Sequence, residues 1–272
     1  MNHTVCRASV SDAEQFPSAS HTGALQFIST TLLGIWRTFA LVFFSFGALV
    51  ENIITIPLFA RTRRLHARAA WLHHWSRFAC RVLGIRVTKR GSMPTSGLLV
   101  SNHLSYLDVV VLGSIQPCVF VAKRDVATWP LFGWLAHAAG TIFVDRERRF
   151  SCPKAVDVIR EAIAAGSAVV LFPEGTSSDG STVLPFKSAL LEPAVQLRFP
   201  IAAASIDYAL DDGSVPDEIC YWRDMTLVPH LLNLFFKREI WANYSFSAAK
   251  IRVGNRKEIA RELHGQIVSI RS

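Results

Sequence analysis

The chain has 272 residues, half of them hydrophobic, and a mean hydropathy of +0.28. That is enough for one substantial core and too polar for a polytopic membrane protein. A formal net charge of +8 points to anionic partners, and five cysteines with no close pair indicate neither a disulfide framework nor a zinc site.

Residues 1–24 show no basic region leading into an apolar one, so no secretory signal is read there and a disordered tail is expected. Residues 25–60 are expected to form a membrane-associating helical segment. Within it residues 38–50 are almost wholly apolar, too few for a hydrocarbon core that takes about 20 residues to cross. Extension to Ala60 brings in Glu51 and Asn52, and an acid near mid-span costs roughly 2.5–3.5 kcal/mol. Pro57 adds a break. Two pictures stay open, one imperfect spanning helix or a bent pair lying in one leaflet. Arg61, Arg63 and Arg64 follow, which puts the next residues on the cytoplasmic side.

The residues after them read as a two-faced helix. Trp71, Leu72, Trp75, Phe78 and Val82 recur at helical spacing, with Arg64, Arg68, Arg77 and Arg81 mostly elsewhere on the wheel. The aromatic face suits an anionic lipid surface or a packed core equally well. Nucleic acid is not expected as a partner, because the apolar segment beside these cations has no use there.

Beyond Gly84, short apolar runs alternate with helical patterns. "GIRVTKRG", "GLLVS", "CVFVAK", "GTIFVD", "SAVVLFP" and "PIAAASID" read as strands. "YLDVVVLGSI", "PLFGWLAHAA" and "PKAVDVIREAIAAG" read as helices, "KSALLEPAVQL" as a helix broken by Pro193. The end adds an expected strand pair, "REIWANYSF" with "AKIRVG", and a polar helix from Asn255. This order predicts an α/β fold, a mostly parallel or mixed sheet flanked by helices, with ligands at the carboxyl ends of the strands.

Three punctuated stretches follow strand ends. "SNHLSYLD" holds Asn102, His103 and Asp108. A histidine suits proton abstraction near neutral pH, and a carboxylate on its other ring nitrogen fixes the tautomer. On an ideal helix the two would lie about 140° apart. They meet only if His103 sits in the turn before a helix that starts near Ser105, and Ser105-x-x-Asp108 is itself a capping pattern. "FPEGTSSDG", with Glu174, Gly175 and Thr176, offers a carboxylate and free backbone amides to a polar head or an oxyanion. "GTIFVDRERR" ends a strand with Arg146, a ready phosphate clamp, and with Arg148 and Arg149, read as solvated charge.

Together and in this order these stretches resemble the glycerolipid (lysophospholipid) acyltransferase family, bacterial type. N-H-x4-D is present as Asn102, His103 and Asp108. The K-x-[ED]-x4-P-x-x-G element is matched by Lys123, Asp125, Pro130 and Gly133. G-x-x-[FI]-[VI]-x-R is present as Gly140, Phe143, Val144 and Arg146, and F-P-E-G-T is complete from Phe172 to Thr176. The resemblance implies a glycerol-3-phosphate acyltransferase-like fold with an acyltransferase domain over residues 61–272. It implies transfer of a fatty acyl group from acyl-CoA or acyl carrier protein to a lysolipid hydroxyl, with no cofactor and no metal. His103 would be the base and Asp108 its orienting partner. Asn102, Lys123, Arg146, Glu174, Gly175, Thr176 and Lys187 would contact substrate. The expected acceptor is 1-acylglycerol-3-phosphate, giving phosphatidate, at the cytoplasmic face of a bacterial inner membrane. Ser177 stands where lysophosphatidate-acylating members carry Arg, and the run after it looks like the lyso-ornithine lipid acyltransferases, so that acceptor is the alternative. A hydrolase would want a G-x-S-x-G elbow, which "GSMPTSG" does not supply. His66, His73 and His74 lack the H-E-x-x-H spacing of a zinc protease.

Overall fold

The structure, a computed structural model, describes residues 19–144 and 153–271. It opens with α1 (Ala19–Thr55), one continuous helix that starts inside the segment expected as tail and runs through Glu51 and Asn52. A 3-10 turn at Ile56–Leu58, where Pro57 removes a donor, ends it. After a second 3-10 turn, α2 (Arg64–Leu83) runs until Gly84 closes it in the left-handed conformation at φ +70°.

The body follows as β1 (Ile85–Arg90), β2 (Gly97–Ser101), α3 (Leu107–Ile115), β3 (Cys118–Lys123), α4 (Phe132–Ala138), β4 (Ile142–Val144), α5 (Pro153–Ala164) and β5 (Ala168–Leu171). Next come α6 (Glu192–Leu197), β6 (Pro200–Ala209), α7 (Val215–Glu218), α8 (Leu227–Phe236), β7 (Ile240–Phe246), β8 (Lys250–Ile251) and α9 (Arg256–Arg271). The sheet order is β1-β7-β6-β2-β5-β3-β4, with β8 also on β6. Every pairing is parallel except those of β6 with β7 and β8, so the mixed α/β sheet expected from the alternation is present. β2 and β5 are buried along their whole length, as apolar runs covered on both faces must be.

Two local expectations are corrected. The last two strands do not pair with each other; both run antiparallel to β6, β7 along Ala204–Ala209 and β8 at Pro200 and Ile201. Pro193 does not break a helix either. A 3-10 turn at Ser188–Leu191 gives way to α6 one residue earlier, and the proline sits in the first turn, where its missing N–H has no partner to lose.

One layer of core lies between the sheet and α2, α3 and α8, the other between the sheet and α5 and α9. The aromatic face of α2 belongs to packing. Trp71 is buried and its indole N–H donates to the Ala48 carbonyl of α1 at 3.1 Å, while Trp75 donates to the Glu51 carboxylate at 2.8 Å. Asn52 is buried and donates to the Ala138 carbonyl at 3.1 Å. Thus the two polar residues that made residues 25–60 a poor span both help fasten α1 to the body. The opposite side of α1 stays bare, with Phe39 and Phe43 each 72% exposed. Ile28–Leu58 is by length and composition long and apolar enough to cross a membrane.

Candidate active site

β2 and β5 are parallel neighbours in register, Val100 opposite Leu171, so the two loops that leave their carboxyl ends run side by side. β6 flanks β2 on its other edge, with Ser101 opposite Ala204, and extends past it to Ala209. "SNHLSYLD" is therefore held between "FPEGT" on one side and the upper half of β6 on the other.

Asn102 makes the β6 connection. It is 1% exposed; its amide nitrogen donates to the Ile206 carbonyl at 3.0 Å and its amide oxygen accepts the Ile206 N–H at 2.8 Å. "FPEGT" makes the other. Glu174, 2% exposed, accepts the backbone N–H of His103 at 2.9 Å on one oxygen and that of Leu184 at 3.2 Å on the other. The His103 carbonyl accepts the Ser178 N–H at 3.0 Å, and the Leu104 carbonyl accepts the Tyr221 N–H at 2.9 Å. Gly175 takes φ +75° to turn the loop back, a conformation a side chain would strain. Burial pushes the Glu174 carboxyl up to about 7, with the two N–H bonds pulling part of the way back. Asn102 and Glu174 thus spend their polar atoms on backbone, not on an open cleft.

Asp108, in the first turn of α3, is fully buried. One carboxylate oxygen accepts His103 Nδ1–H at 2.8 Å and the N–H groups of Leu104 at 2.7 Å and Ser105 at 3.2 Å. The other accepts the Tyr208 hydroxyl of β6 at 2.7 Å. The expected geometry is present, with His103 in the turn and Asp108 inside the helix. The capping pattern is only half realised: Asp108 reaches back to Ser105, but the helix starts after Tyr106 and the buried Ser105 hydroxyl has no partner among the described residues. With Nδ1 committed to the carboxylate, Nε2 carries the free lone pair. The ring lies flat on Phe172, centroids 4.2 Å apart, and Phe172 stacks in turn on Phe120 at 6.2 Å.

Phe120 lines a cavity of about 210 Å³ between α1, α2, α3 and α4, whose walls include Phe44, Trp71, Tyr106, Trp129 and Phe132. Its lining is almost wholly apolar. Tyr106, three residues from His103, donates its hydroxyl to Nδ1 of buried His230 in α8 at 3.0 Å; Nε2 of that imidazole faces the Cys220 carbonyl at 3.0 Å and so carries its proton. Burial lowers the His230 pKa and keeps it neutral.

The other expected site residues are more exposed. Lys123 ends β3 paired with Asp125. Lys187 is exposed, its backbone N–H on the Pro173 carbonyl at 2.8 Å. Thr176 is exposed, and the Ser177 hydroxyl donates to the Tyr221 carbonyl. Arg146, Arg148 and Arg149 lie outside the described residues. Among the described residues no three His, Cys, Asp or Glu side chains group to hold a metal ion. Tyr208 and His230 were not singled out by the sequence; each meets its partner across the fold, and no local spacing announces it.

A protein-family description, Acyltransferase, matches residues 84–207. The chain is 36% identical over 208 residues to the lyso-ornithine lipid O-acyltransferase of Rhizobium meliloti (strain 1021), covering 70% of this chain and 71% of that one. It is 29% identical to the 1-acyl-sn-glycerol-3-phosphate acyltransferase of Neisseria gonorrhoeae, over 53% of this chain and 61% of that one. The crystal structure of the 1-acyl-sn-glycerophosphate acyltransferase PlsC of Thermotoga maritima superimposes with a TM-score of 0.65 at 17% identity, over 90% of this chain and 95% of that one, a likeness of fold.

Proposed function

The chain belongs to the acyltransferase family, and on that premise we propose that it moves a fatty acyl group from a thioester to the hydroxyl of a lyso-ornithine lipid at a membrane surface. The observation that carries the chemistry is the 2.8 Å contact of His103 Nδ1 with buried Asp108, which leaves Nε2 as a base. Nε2 takes the proton of the acceptor hydroxyl as its oxygen attacks the thioester carbonyl. The tetrahedral centre then collapses, the C–S bond breaks, and the imidazolium returns the proton to the leaving thiolate. The thioester is already activated, so no Ser or Cys nucleophile is required. The donor is acyl-CoA or acyl carrier protein, and the apolar cavity behind Phe172 and Phe120 takes an acyl chain.

Asn102 and Glu174 act in this reading as positioning residues for the His103 loop. Lys123, Arg146, Gly175, Thr176 and Lys187 remain the groups for polar parts of the substrates. The acceptor is argued from Ser177, whose small hydroxyl is spent on the Tyr221 carbonyl where an arginine would offer a phosphate a bidentate partner. The higher identity to the Rhizobium relative, with its wider coverage, points the same way. Lysophosphatidate is the second reading, favoured by the Neisseria relative. The bare face of α1 and the exposed Arg61, Arg63 and Arg64 after it suit the anionic cytoplasmic face of a bacterial inner membrane.

The test is the full chain in vesicles with labelled acyl donor and a panel of lysolipids, products read by mass. Labelled ornithine lipid is expected, and His103→Ala is expected to lower the rate at least ~100-fold. Labelled phosphatidate alone would move the assignment to the second reading. A folded His103→Ala protein of near-normal rate would remove His103 from the chemistry.

A further inference from the structure

We propose that α8 is a second lipid-contacting element, joined to the bare face of α1 and seated on the acyl-chain region of the same leaflet through Val228, Leu232 and Phe236. These three recur every fourth residue on one side of the helix and are 64%, 41% and 42% exposed, while His230 and Leu234 on the other side are buried. No acidic residue occurs between Asp224 and Glu239. An apolar stripe left in water costs about 25 cal/mol for each Å² exposed, so it belongs against something.

The contacts with α1 say what covers it. The ring of Phe236 lies over Gly34, so close that a Cβ there would meet it at 2.4 Å. Arg37, one turn on, is buried and donates to the carbonyls at the end of α8, those of Phe235 at 3.3 Å and Arg238 at 3.2 Å, and to that of Lys237. The two helices are therefore fixed as one body, and Phe236 adds the α8 stripe to the exposed face of α1. The flanks suit the same occupant. Arg223 before the helix and Arg238 after it are exposed cations of the kind that meet anionic head groups, and Arg223 stacks on Trp222 at 3.9 Å. The inner side of the helix carries His230 and through it Tyr106, so α8 is tied directly to the loop that holds His103.

The inference rests on the reading that the apolar face of α1 sits in the membrane, and the experiment separates the two. Cys6 and Cys152 are replaced by Ser; Cys80, Cys118 and Cys220 are buried. Single cysteines at Leu232→Cys, Phe43→Cys and Lys89→Cys, all exposed positions, carry a thiol fluorophore on the full chain. The protein is bound to phosphatidylcholine–phosphatidylglycerol vesicles containing acyl-chain nitroxide lipid, with circular dichroism to verify each fold. Quenching several-fold stronger at 232 and 43 than at 89, on the outer strand β1, is expected. Quenching at 43 with 232 no different from 89 overturns the proposal and leaves α1 in the membrane. No quenching at 43 overturns both. Shielding of 232 from water without lipid quenching, rising with protein concentration, would assign the stripe to a second copy of the chain and overturn the proposal as well.

Discussion

At the scale of single residues, the site turns on how completely Asp108 is satisfied. Its carboxylate has no contact with water and accepts four donors, one of them the Tyr208 hydroxyl. Burial and the nearby carboxylate push the tyrosine's own ionisation well above its ordinary value, so it stays a donor through the working pH range. Each donor helps fix the carboxylate in the position that orients the His103 imidazole. Tyr208→Phe keeps the ring and removes one donor. The expected result is a kcat lower by about ten-fold with KM little changed, the scale of one hydrogen bond to a charged group. An unchanged kcat would mean that Tyr208 only fills space. The His103–Asp108 pair was legible because both members fall within one short motif. Tyr208, a hundred residues away in sequence, has no such mark and is found only once β6 is laid beside β2. Asn102 and Glu174 were hidden in a similar way: their motif positions pointed to substrate, while their partners are backbone groups, Ile206 for the one and His103 and Leu184 for the other.

At the scale of elements, the strands and most helices were readable from period and punctuation, and the exceptions have physical causes. In α8, "LVPHLLNLFF", apolar residues occupy the outer side as well as the inner one, so no polar stripe reveals a helical period. The closing strands carry correct patterns, but which edge they join is set by β6 and β1, not by the short turn between them. The clamp between α1 and α8 was equally hidden, since Arg37 reads in sequence as the boundary of an apolar run. Arg37→Met removes its hydrogen bonds and leaves the carbonyls of Phe235, Lys237 and Arg238 without their donor. A loss of about 2–4 kcal/mol is expected, read as a lower Tm in detergent with unchanged helix content. An unchanged Tm would show that water replaces the guanidinium at no cost.

At the scale of the whole molecule, one buried carboxyl links stability to pH. Glu174 is held at about 7 in the folded chain against 4.5 in an unfolded one, so between those values the folded state binds the extra proton. Stability from this group is then fully present below pH 4.5 and falls as pH rises to 7, by on the order of 3 kcal/mol. Glu174→Gln abolishes the titration and sets an amide donor against a backbone N–H. The variant is expected to be less stable at acid pH, with the gap to the parent narrowing as pH rises to 7 in thermal melts. A gap that widens instead would show that the two N–H bonds outweigh burial.

Three successive amides, those of His103, Leu104 and Ser105, donate to carboxylates that solvent hardly reaches. Ordering a residue's backbone costs about 1–2 kcal/mol in conformational entropy, and for the stretch that carries the base this cost is met when the chain folds. A lysolipid entering the site then finds the imidazole already oriented, and its binding energy is left for its own alignment with the thioester.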